Sequence, residues 1–269
     1  MGKRKLSLRE LQLLELEIAK EIKRICEKNN IRYFIFYGTL LGAVRHGGFI
    51  PWDDDMDIGM PYKDYQKFMK IAELELSPRF RLQHWNDGSH YAHPYMKVKM
   101  VGTTVMEIVN QNVDTDKGIW VDIFPFYPML KSEAESSSYR FMLKILEKIC
   151  LIKNGYDLNI ITNSRMHKMF NLSLKFFPLP YPIAKCILIR QIEKKCTDKA
   201  ECWVSHTASD VIPVDCLEHL VPLAFENSSF LAPSKYHELL TNLYGDYMSL
   251  PSLEEQNKGH SILYATIDE

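Results

Sequence analysis

Residues 37–58 read YGTLLGAVRHGGFIPWDDDMDI, and the end of this segment is rich in aspartate. Acidic and apolar residues alternate from position 53 to position 60, which predicts a strand with Asp53, Asp55 and Asp57 on one face. Carboxylates so close together repel one another unless a cation lies between them, and hard oxygen ligands suit Mg²⁺ or Mn²⁺. The alternative interpretation is a solvated acidic loop. Apolar residues on both sides of the run argue against full solvation and favour a metal–phosphate site.

A predicted turn precedes the acidic run. Residues 31–37 are aromatic and β-branched, which indicates a strand, and Gly38 and Thr39 interrupt it before a short helix predicted over 39–46. Backbone N–H groups at the start of a helix bind phosphate well. A glycine-polar turn followed by an acid-x-acid strand is the layout of a nucleotidyltransferase fold. Gly38 and Thr39 are therefore candidate substrate-binding residues.

A further carboxylate lies far along the chain from this segment. Asp122 is the polar residue of an otherwise apolar strand predicted over 119–124. A lone carboxylate in such a strand needs a partner or a metal ion. Asp122 is therefore a candidate third metal ligand, or the general base that accepts the proton of an attacking hydroxyl.

Basic side chains near these segments are candidates for binding a phosphorylated substrate. Arg45 could hold a phosphate through two N–H groups, or form a salt bridge that orders the acids. His46 is either a proton carrier or an ordinary loop histidine. Lys97 and Lys99 share one face of a strand predicted over 95–100, and a solvated face is the simpler interpretation. If one of them meets phosphate, Lys97 is the candidate.

The remaining pattern predicts an α+β fold, a nucleotidyltransferase-like mixed sheet flanked by helices with a helical, basic C-terminal half. A capping box at Ser7–Glu10 predicts the start of an N-terminal helix, and Gly245 predicts the end of a helix over 234–244. One domain is expected, and it comprises a catalytic core at about 31–128, a helical region at about 132–200 and a C-terminal segment at 201–269.

Composition excludes some classes of function. The 269 residues are 46% hydrophobic and 25% charged, as in ordinary globular proteins, and the net charge of -1 gives no argument for a nucleic-acid partner. The six cysteines show no tight pairing, and the spacing of Cys196, Cys202, His206 and Cys216 fits no standard zinc finger. Neither a secretory signal nor a membrane-spanning segment is predicted, so a cytoplasmic protein is expected.

Charge is unevenly distributed along the chain. Residues 139–195 contain 11 Lys or Arg and 3 Asp or Glu, a net charge of +8, so the other residues together carry -9. This segment also contains the apolar, proline-broken stretch 176–183. One interpretation is a helical region with solvated basic faces. The other is a peripheral contact with the inner face of an anionic membrane, or with a lipid-linked anionic acceptor.

Residues 37–46 and 48–58 closely resemble the LicD family, bacterial phosphocholine transferases related to the fukutin-type ribitol-phosphate transferases. The resemblance continues at 117–125 and returns at 244–251. It implies a nucleotidyltransferase-type fold, and transfer of a phosphorylated alcohol from a CDP-linked donor such as CDP-choline to a hydroxyl of a glycan or lipid-linked glycan, for example teichoic acid or lipopolysaccharide.

The resemblance also assigns roles by position. Asp55 and Asp57 correspond to the metal-binding pair, and Asp122 to the third carboxylate, so these three are the predicted catalytic and metal-binding residues. Gly38 and Thr39 correspond to the turn on the phosphate side. The fukutin-type relatives carry a cysteine-rich zinc insertion, and no matching cluster is present here.

A choline donor implies a site for a trimethylammonium group, which aromatic faces hold through cation–π attraction. The candidates are Trp52, Trp85, Tyr91 and Trp120. Trp52 is also a candidate substrate-binding residue because it directly precedes the acidic run. His260 lies in a polar tail that could fold back to the site.

Three alternatives stay open at this level. A different CDP-alcohol, such as a ribitol or glycerol donor, or nucleotidyl transfer to a small molecule would use the same fold. A metal-dependent phosphohydrolase would use water as acceptor. A binding module without catalysis would have had reason to lose one of the acids, yet Asp55, Asp57 and Asp122 are all present.

Overall fold

The computed structural model describes residues 2–87, 91–256 and 262–269. Within these ranges the helices and strands have the following bounds, in chain order: β1 (Lys3–Lys5), α1 (Leu8–Lys28), β2 (Phe34–Ile35), α2 (Tyr37–His46), β3 (Asp57–Pro61), α3 (Tyr62–Glu75), β4 (Phe80–Gln83), β5 (Met96–Met100), β6 (Thr103–Glu107), β7 (Trp120–Met129), α4 (Lys131–Ala134), α5 (Ser137–Lys153), α6 (Arg165–Phe176), α7 (Tyr181–Glu193), β8 (Cys202–Val204), β9 (Val211–Pro213), β10 (Leu220–Phe225), β11 (Ser228–Pro233), α8 (Tyr236–Tyr244), α9 (Leu253–Gln256) and β12 (Ile262–Asp268).

The central sheet is mixed. Its strand order is β2-β3-β7-β5-β4, and β8 pairs with the end of β7 and with β9. Strands β3 and β7 are parallel, whereas the other neighbours in this sheet are antiparallel. A second sheet joins β1, β12 and β6, and β10 pairs with β11. The expected α+β class, with a mixed sheet flanked by helices, is confirmed.

Helix α1 packs its apolar face on the main core. The predicted capping box is present, since the Ser7 side chain accepts from the Glu10 backbone N–H and the Ser7 N–H donates to the Glu10 carboxylate over 2.8 Å. Ile18, Ile22 and Ile25 of this helix are fully buried. These positions follow helical spacing, so the apolar periodicity predicts which face of the helix meets the core.

The strand that carries the acids is shorter than predicted. It begins only at Asp57, and residues 53–56 form a loop that starts with a turn in which the Asp53 N–H donates to the Ile50 carbonyl oxygen over 3.0 Å. The prediction that Asp53, Asp55 and Asp57 share one face of a strand is therefore wrong. A strand would send Asp54 to the opposite side, whereas the loop turns its three acids toward one another.

Neighbouring boundaries also differ from the prediction. The strand predicted over 31–37 is reduced to β2, because α2 already begins at Tyr37. Strand β7 continues through Pro125 and Pro128, since its later part pairs with β8. The C-terminal helix α8 ends at Gly245, whose φ of +68° supports the predicted helix end.

The helical region is confirmed from α4 to α7, and after Glu193 the chain returns to strands. Along the described ranges, none of the helices has both the length and the apolar composition to cross a membrane alone. Helices α6 and α7 meet that test only as a pair, and they are bent by 105°. His260, which the sequence suggested as a folded-back residue, lies outside the described residues. The sequence also predicts a turn at 86–88 between two strands, and Gly88 of that turn lies outside the described residues.

Candidate active site

Strand register brings charged side chains into one row. Asp57 on β3 is paired with Asp122 on β7, and Asp122 is paired with Lys97 on β5. Residues paired in register point to the same face of a sheet, so the three side chains lie side by side. Nζ of Lys97 lies 3.0 Å from Oδ1 of Asp122. All three residues are buried.

Lys97 and Asp122 of this row line a cavity of about 210 Å³. Acids reach the cavity from three places, which are the loop before β3, the end of β6 and the beginning of β7. The lining residues are Asp54, Asp55, His93, Tyr95, Lys97, Glu107, Val109, Trp120, Asp122 and Ile262. A larger cavity of about 590 Å³ lies at Arg32, Lys63 and Trp203, but it lacks this convergence of carboxylates. The smaller cavity is therefore the candidate active site.

Two buried polar side chains fix the backbone of the acidic loop. Nε2 of Gln12 donates to the carbonyl oxygens of Ile50 (3.2 Å) and Asp53 (2.8 Å). Oγ1 of Thr39 accepts from the backbone N–H of Asp57 over 2.8 Å. The loop is thus held at both ends, by α1 and by the first turn of α2. Thr39 was predicted to bind phosphate, and in the structure its side chain positions Asp57.

The turn at Gly38 has a steric reason. Tyr37 has a φ of +45°, an uncommon backbone conformation for a residue with a side chain. A Cβ atom on Gly38 would lie 2.5 Å from Oδ2 of Asp53. Only glycine lets the carboxylate of Asp53 come so close to the N-terminus of α2, where the helix dipole favours a negative charge.

The buried acids strongly affect one another. Burial, followed by the nearby charges of Asp55 and Asp122, raises the pKa of Asp57 well above its usual value. Lys97 opposes this shift, with a smaller effect. Such crowding of carboxylates favours either protonation or a bound cation.

Sequence reasoning missed two acids, Glu107 on β6, which lines the cavity, and Glu15 on α1. Glu15 lies close enough to the acidic loop to interact with its charges. It is 2% exposed, and its Oε2 has no hydrogen-bond partner among the described residues. Burial, followed by the charges of Asp55 and Asp54, raises its pKa well above the usual value. The sequence did carry a signal, because Leu11, Glu15 and Ile18 recur at helical spacing and so share the buried face of the helix.

The acidic cluster can supply ligands to a metal ion. Asp53, Asp54 and Asp55 each offer a carboxylate oxygen, and these oxygens lie within 4.8 Å of one another. The predicted ligand set of Asp55, Asp57 and Asp122 overlaps with this group at Asp55 and stays a prediction. Among the described residues, no such group of ligand atoms occurs around Cys196 and Cys202, and Nε2 of His206 lies 3.1 Å from Oε1 of Glu147.

Three other predicted residues meet at the C-terminal end of α2. Nη1 of Arg45 donates to the carbonyl oxygens of Tyr247 (2.9 Å) and Ser249 (3.3 Å). The guanidinium of Arg45 and the ring of His46 each lie 5.9 Å from the Trp52 ring. Burial lowers the pKa of His46, and the charge of Arg45 lowers it further. This cluster links the acidic segment to the C-terminal residues that share its family resemblance, and its contact with substrate stays a prediction.

Lys97, Lys99 and the aromatic residues proposed for a choline cage are placed differently from what the sequence predicts. Lys97 and Lys99 are 5% and 4% exposed, so the interpretation as a solvated face is wrong. Nζ of Lys97 lies 3.9 Å from the centroid of the Trp120 ring. Trp120 lines the acidic cavity, whereas Trp85 lines a different one of about 230 Å³. The four proposed cage residues therefore do not surround a common space, and Tyr95 is the aromatic residue that the sequence overlooked.

Comparisons with known proteins give a family and relatives for the chain. The family model described as "LicD/FKTN/FKRP, nucleotidyltransferase domain" matches residues 30–147. The chain is 30% identical over 271 residues to the lipopolysaccharide cholinephosphotransferase LicD of Haemophilus influenzae, which covers 96% of this chain and 97% of that relative. It is also 44% identical over 48 residues to the human ribitol 5-phosphate transferase FKRP, which covers 18% of this chain and 10% of that relative.

Proposed function

Because the chain belongs to the LicD family, we propose that it transfers phosphocholine from CDP-choline to a hydroxyl of a cell-surface glycan precursor, such as lipopolysaccharide or teichoic acid. The observation that carries the proposal is the convergence of Asp55, Asp122 and Lys97 on one cavity. It occurs in a chain similar over nearly its whole length to a lipopolysaccharide cholinephosphotransferase. The proposed compartment is the cytoplasm, with a lipid-linked acceptor at the inner face of the membrane.

The residues present fit a hard divalent cation, since several carboxylates are crowded without an equal number of nearby cations. In this proposal Asp55, Asp57 and Asp122 hold Mg²⁺ or Mn²⁺. When bound, such an ion neutralises the phosphate oxygens of the donor. Gln12 and Thr39 keep the acidic loop in place, so little reorganisation is needed when the donor arrives.

Side chains that line the cavity take the other catalytic and binding roles in this proposal. Asp122 accepts the proton of the glycan hydroxyl while the hydroxyl oxygen attacks the phosphorus atom that carries the choline group. The new bond from oxygen to phosphorus forms, the bond from phosphorus to CMP breaks, and CMP leaves. The ammonium of Lys97 lies beside Asp122 and attracts the donor phosphates. Gly38, Arg45, His46 and Trp52 contribute further substrate contacts.

One observation favours a second candidate. The partial similarity to ribitol 5-phosphate transferases supports transfer of another phosphoalcohol, such as ribitol phosphate, on the same acidic site. The bonds made and broken would be the same, and only recognition of the alcohol would differ.

Product analysis tests the proposal. Purified protein is incubated with Mg²⁺ or Mn²⁺, choline-labelled CDP-choline, and lipopolysaccharide or teichoic acid preparations. The expected result is CMP release in step with incorporation of label into glycan. Attachment of CMP to the acceptor with release of free phosphocholine would indicate nucleotidyl transfer, equal turnover without acceptor would indicate a hydrolase, and faster turnover of CDP-ribitol would favour the second candidate.

A further inference from the structure

The helical region exposes an unusual number of large apolar side chains. Folded proteins bury most such residues, and a contiguous exposed group marks an interaction surface. Between positions 141 and 183 the exposed ones are Phe141 (64%), Ile160 (44%), Ile161 (64%), Met166 (78%), Met169 (72%), Phe170 (39%), Leu172 (52%), Phe176 (76%), Phe177 (49%) and Ile183 (51%).

Helix α6 shows the pattern most clearly. Met166, Met169, Phe170 and Phe176 follow the spacing i, i+3, i+4 and i+10, which places them on one face of the helix. That face is exposed, whereas Leu174 on another side is buried. A helix of a globular protein normally packs its apolar stripe on the core, so α6 presents its larger apolar face outward.

Two exposed cations lie on the polar side of α6. At about 100° per residue, Lys168 and Lys175 lie roughly opposite the apolar face of the helix. They belong to the segment 139–195, whose net charge is +8. Lysine can extend its ammonium to lipid headgroups while its aliphatic stem lies along apolar surface.

The bend between α6 and α7 determines which residues of this helix pair could contact a bilayer. The two helices are bent by 105°, and the connection contains the exposed Phe177 and Pro178. A helix with one apolar face and lysines on its opposite, polar face lies in the plane of a membrane interface. The bent pair presents exposed apolar side chains both on α6 and at the bend.

We propose that this surface, comprising the outward face of α6 and the connection 176–183, docks on an anionic lipid bilayer. Charge decides between occupants, because two copies of a segment with a net charge of +8 repel each other, whereas anionic headgroups attract it. The docking is independent of the transfer reaction. It would bring the chain to acceptors that are anchored in lipid.

Vesicle sedimentation tests the docking with the full chain. Vesicles of phosphatidylcholine alone are compared with vesicles that also contain phosphatidylglycerol. Binding is expected to the anionic vesicles, and to weaken with added salt. Met169→Ser combined with Phe176→Ser should reduce the partition coefficient by at least about tenfold, because each side chain loses its apolar burial. Lys168→Glu combined with Lys175→Glu should give a smaller reduction.

Matched controls use exposed residues outside the surface. Leu74 is 87% exposed, and Lys70 and Lys199 are exposed on other parts of the chain. Leu74→Ser, and Lys70→Glu combined with Lys199→Glu, should leave vesicle binding unchanged. Failure of the wild type to prefer anionic vesicles would overturn the proposal, as would equal losses in the controls. A different outcome is a dimer whose formation depends on protein concentration. If Met169→Ser combined with Phe176→Ser abolished this dimer but left vesicle binding intact, the surface would be assigned to self-association instead.

Discussion

The acidic cavity and helix α6 break the same packing rule in opposite directions. Around the cavity, Glu15, Asp57 and Asp122 are 2%, 8% and 7% exposed, although ionised carboxylates prefer water. On α6, Met166 and Phe176 are 78% and 76% exposed, although large apolar side chains prefer the core. We expect a complementary partner to stabilise each region, a cation at the carboxylates and a lipid surface on α6. The acidic cavity should therefore respond to added divalent cation, and the surface of α6 to added anionic lipid.

The largest effect is expected at the buried carboxylates. Asp57→Asn or Asp122→Asn should lower the rate of phosphocholine transfer by about 10²- to 10³-fold, because each removes a charge that binds the reacting groups. Transfer is measured as label incorporated into glycan. Asp198→Asn is the matched control, since Asp198 is almost fully exposed and pairs with Lys63. Full activity in Asp57→Asn would contradict the site assignment.

The missed acid Glu15 gives a second prediction. Without metal, Glu15→Gln should raise the melting temperature by a few degrees, because it removes a buried carboxyl among other carboxyls. The same variant should need about tenfold more Mg²⁺ for half-maximal activity. A merely structural role would change stability without changing the metal requirement. Glu17→Gln, on the exposed side of α1 and paired with Arg79, should change neither quantity.

Lys99 offers a test by pH. Burial lowers its pKa to about 7, whereas the ordinary value for a lysine is about 10.4. Between these values the unfolded chain binds more protons than the folded one, so this lysine makes the free energy of unfolding rise with pH. The slope is at most about 1.4 kcal/mol per pH unit.

Lys99→Met should remove that slope. Denaturant unfolding of wild type and variant at pH 7, 8 and 9 measures the difference, which should change steadily across the series. A constant difference would mean that Lys99 titrates normally, as a solvated lysine would. Lys70→Met, on an exposed lysine, is the control.

The smallest stability effect is expected on α6. Met169→Ser with Phe176→Ser should change the free energy of unfolding by less than about 0.5 kcal/mol per site, because exposed side chains lose little burial. Chemical denaturation checks this. A loss of several kcal/mol would show that these residues belong to the core, and the contrast between the two regions would fail.

Local pattern predicted much of the fold and part of the site. The capping box and the helical region follow from short-range signals, and Asp54 and Asp55 of the acidic run line the cavity. The loop at 53–56 was not predicted, because the alternation of acidic and apolar residues indicated a strand. The hydrogen bonds from Gln12 that hold this loop are tertiary contacts, which a local sequence pattern does not predict. The pairing of Lys97 with Asp122 depends on strand register, which a single sequence does not state.

The exposed apolar face of α6 is another feature that the sequence alone did not predict. Its apolar spacing was visible in the sequence, but spacing alone cannot say which side of a helix meets the core. Leu174 and Asn171 lie on the buried side, so the larger apolar stripe is left outside. The excess of lysine and arginine in 139–195 left two interpretations open, solvated basic faces or a contact with an anionic membrane.

Mn²⁺ titration followed by electron paramagnetic resonance tests the central claim most directly. Wild type and Asp57→Asn, each shown to be folded by circular dichroism, are titrated with and without CDP-choline. The expected result is Mn²⁺ bound by the wild type, held more tightly when CDP-choline is present, and largely lost in the variant. No bound Mn²⁺ in the wild type, or equal binding in Asp57→Asn, would contradict a metal-dependent phosphocholine transferase built on the acidic cavity.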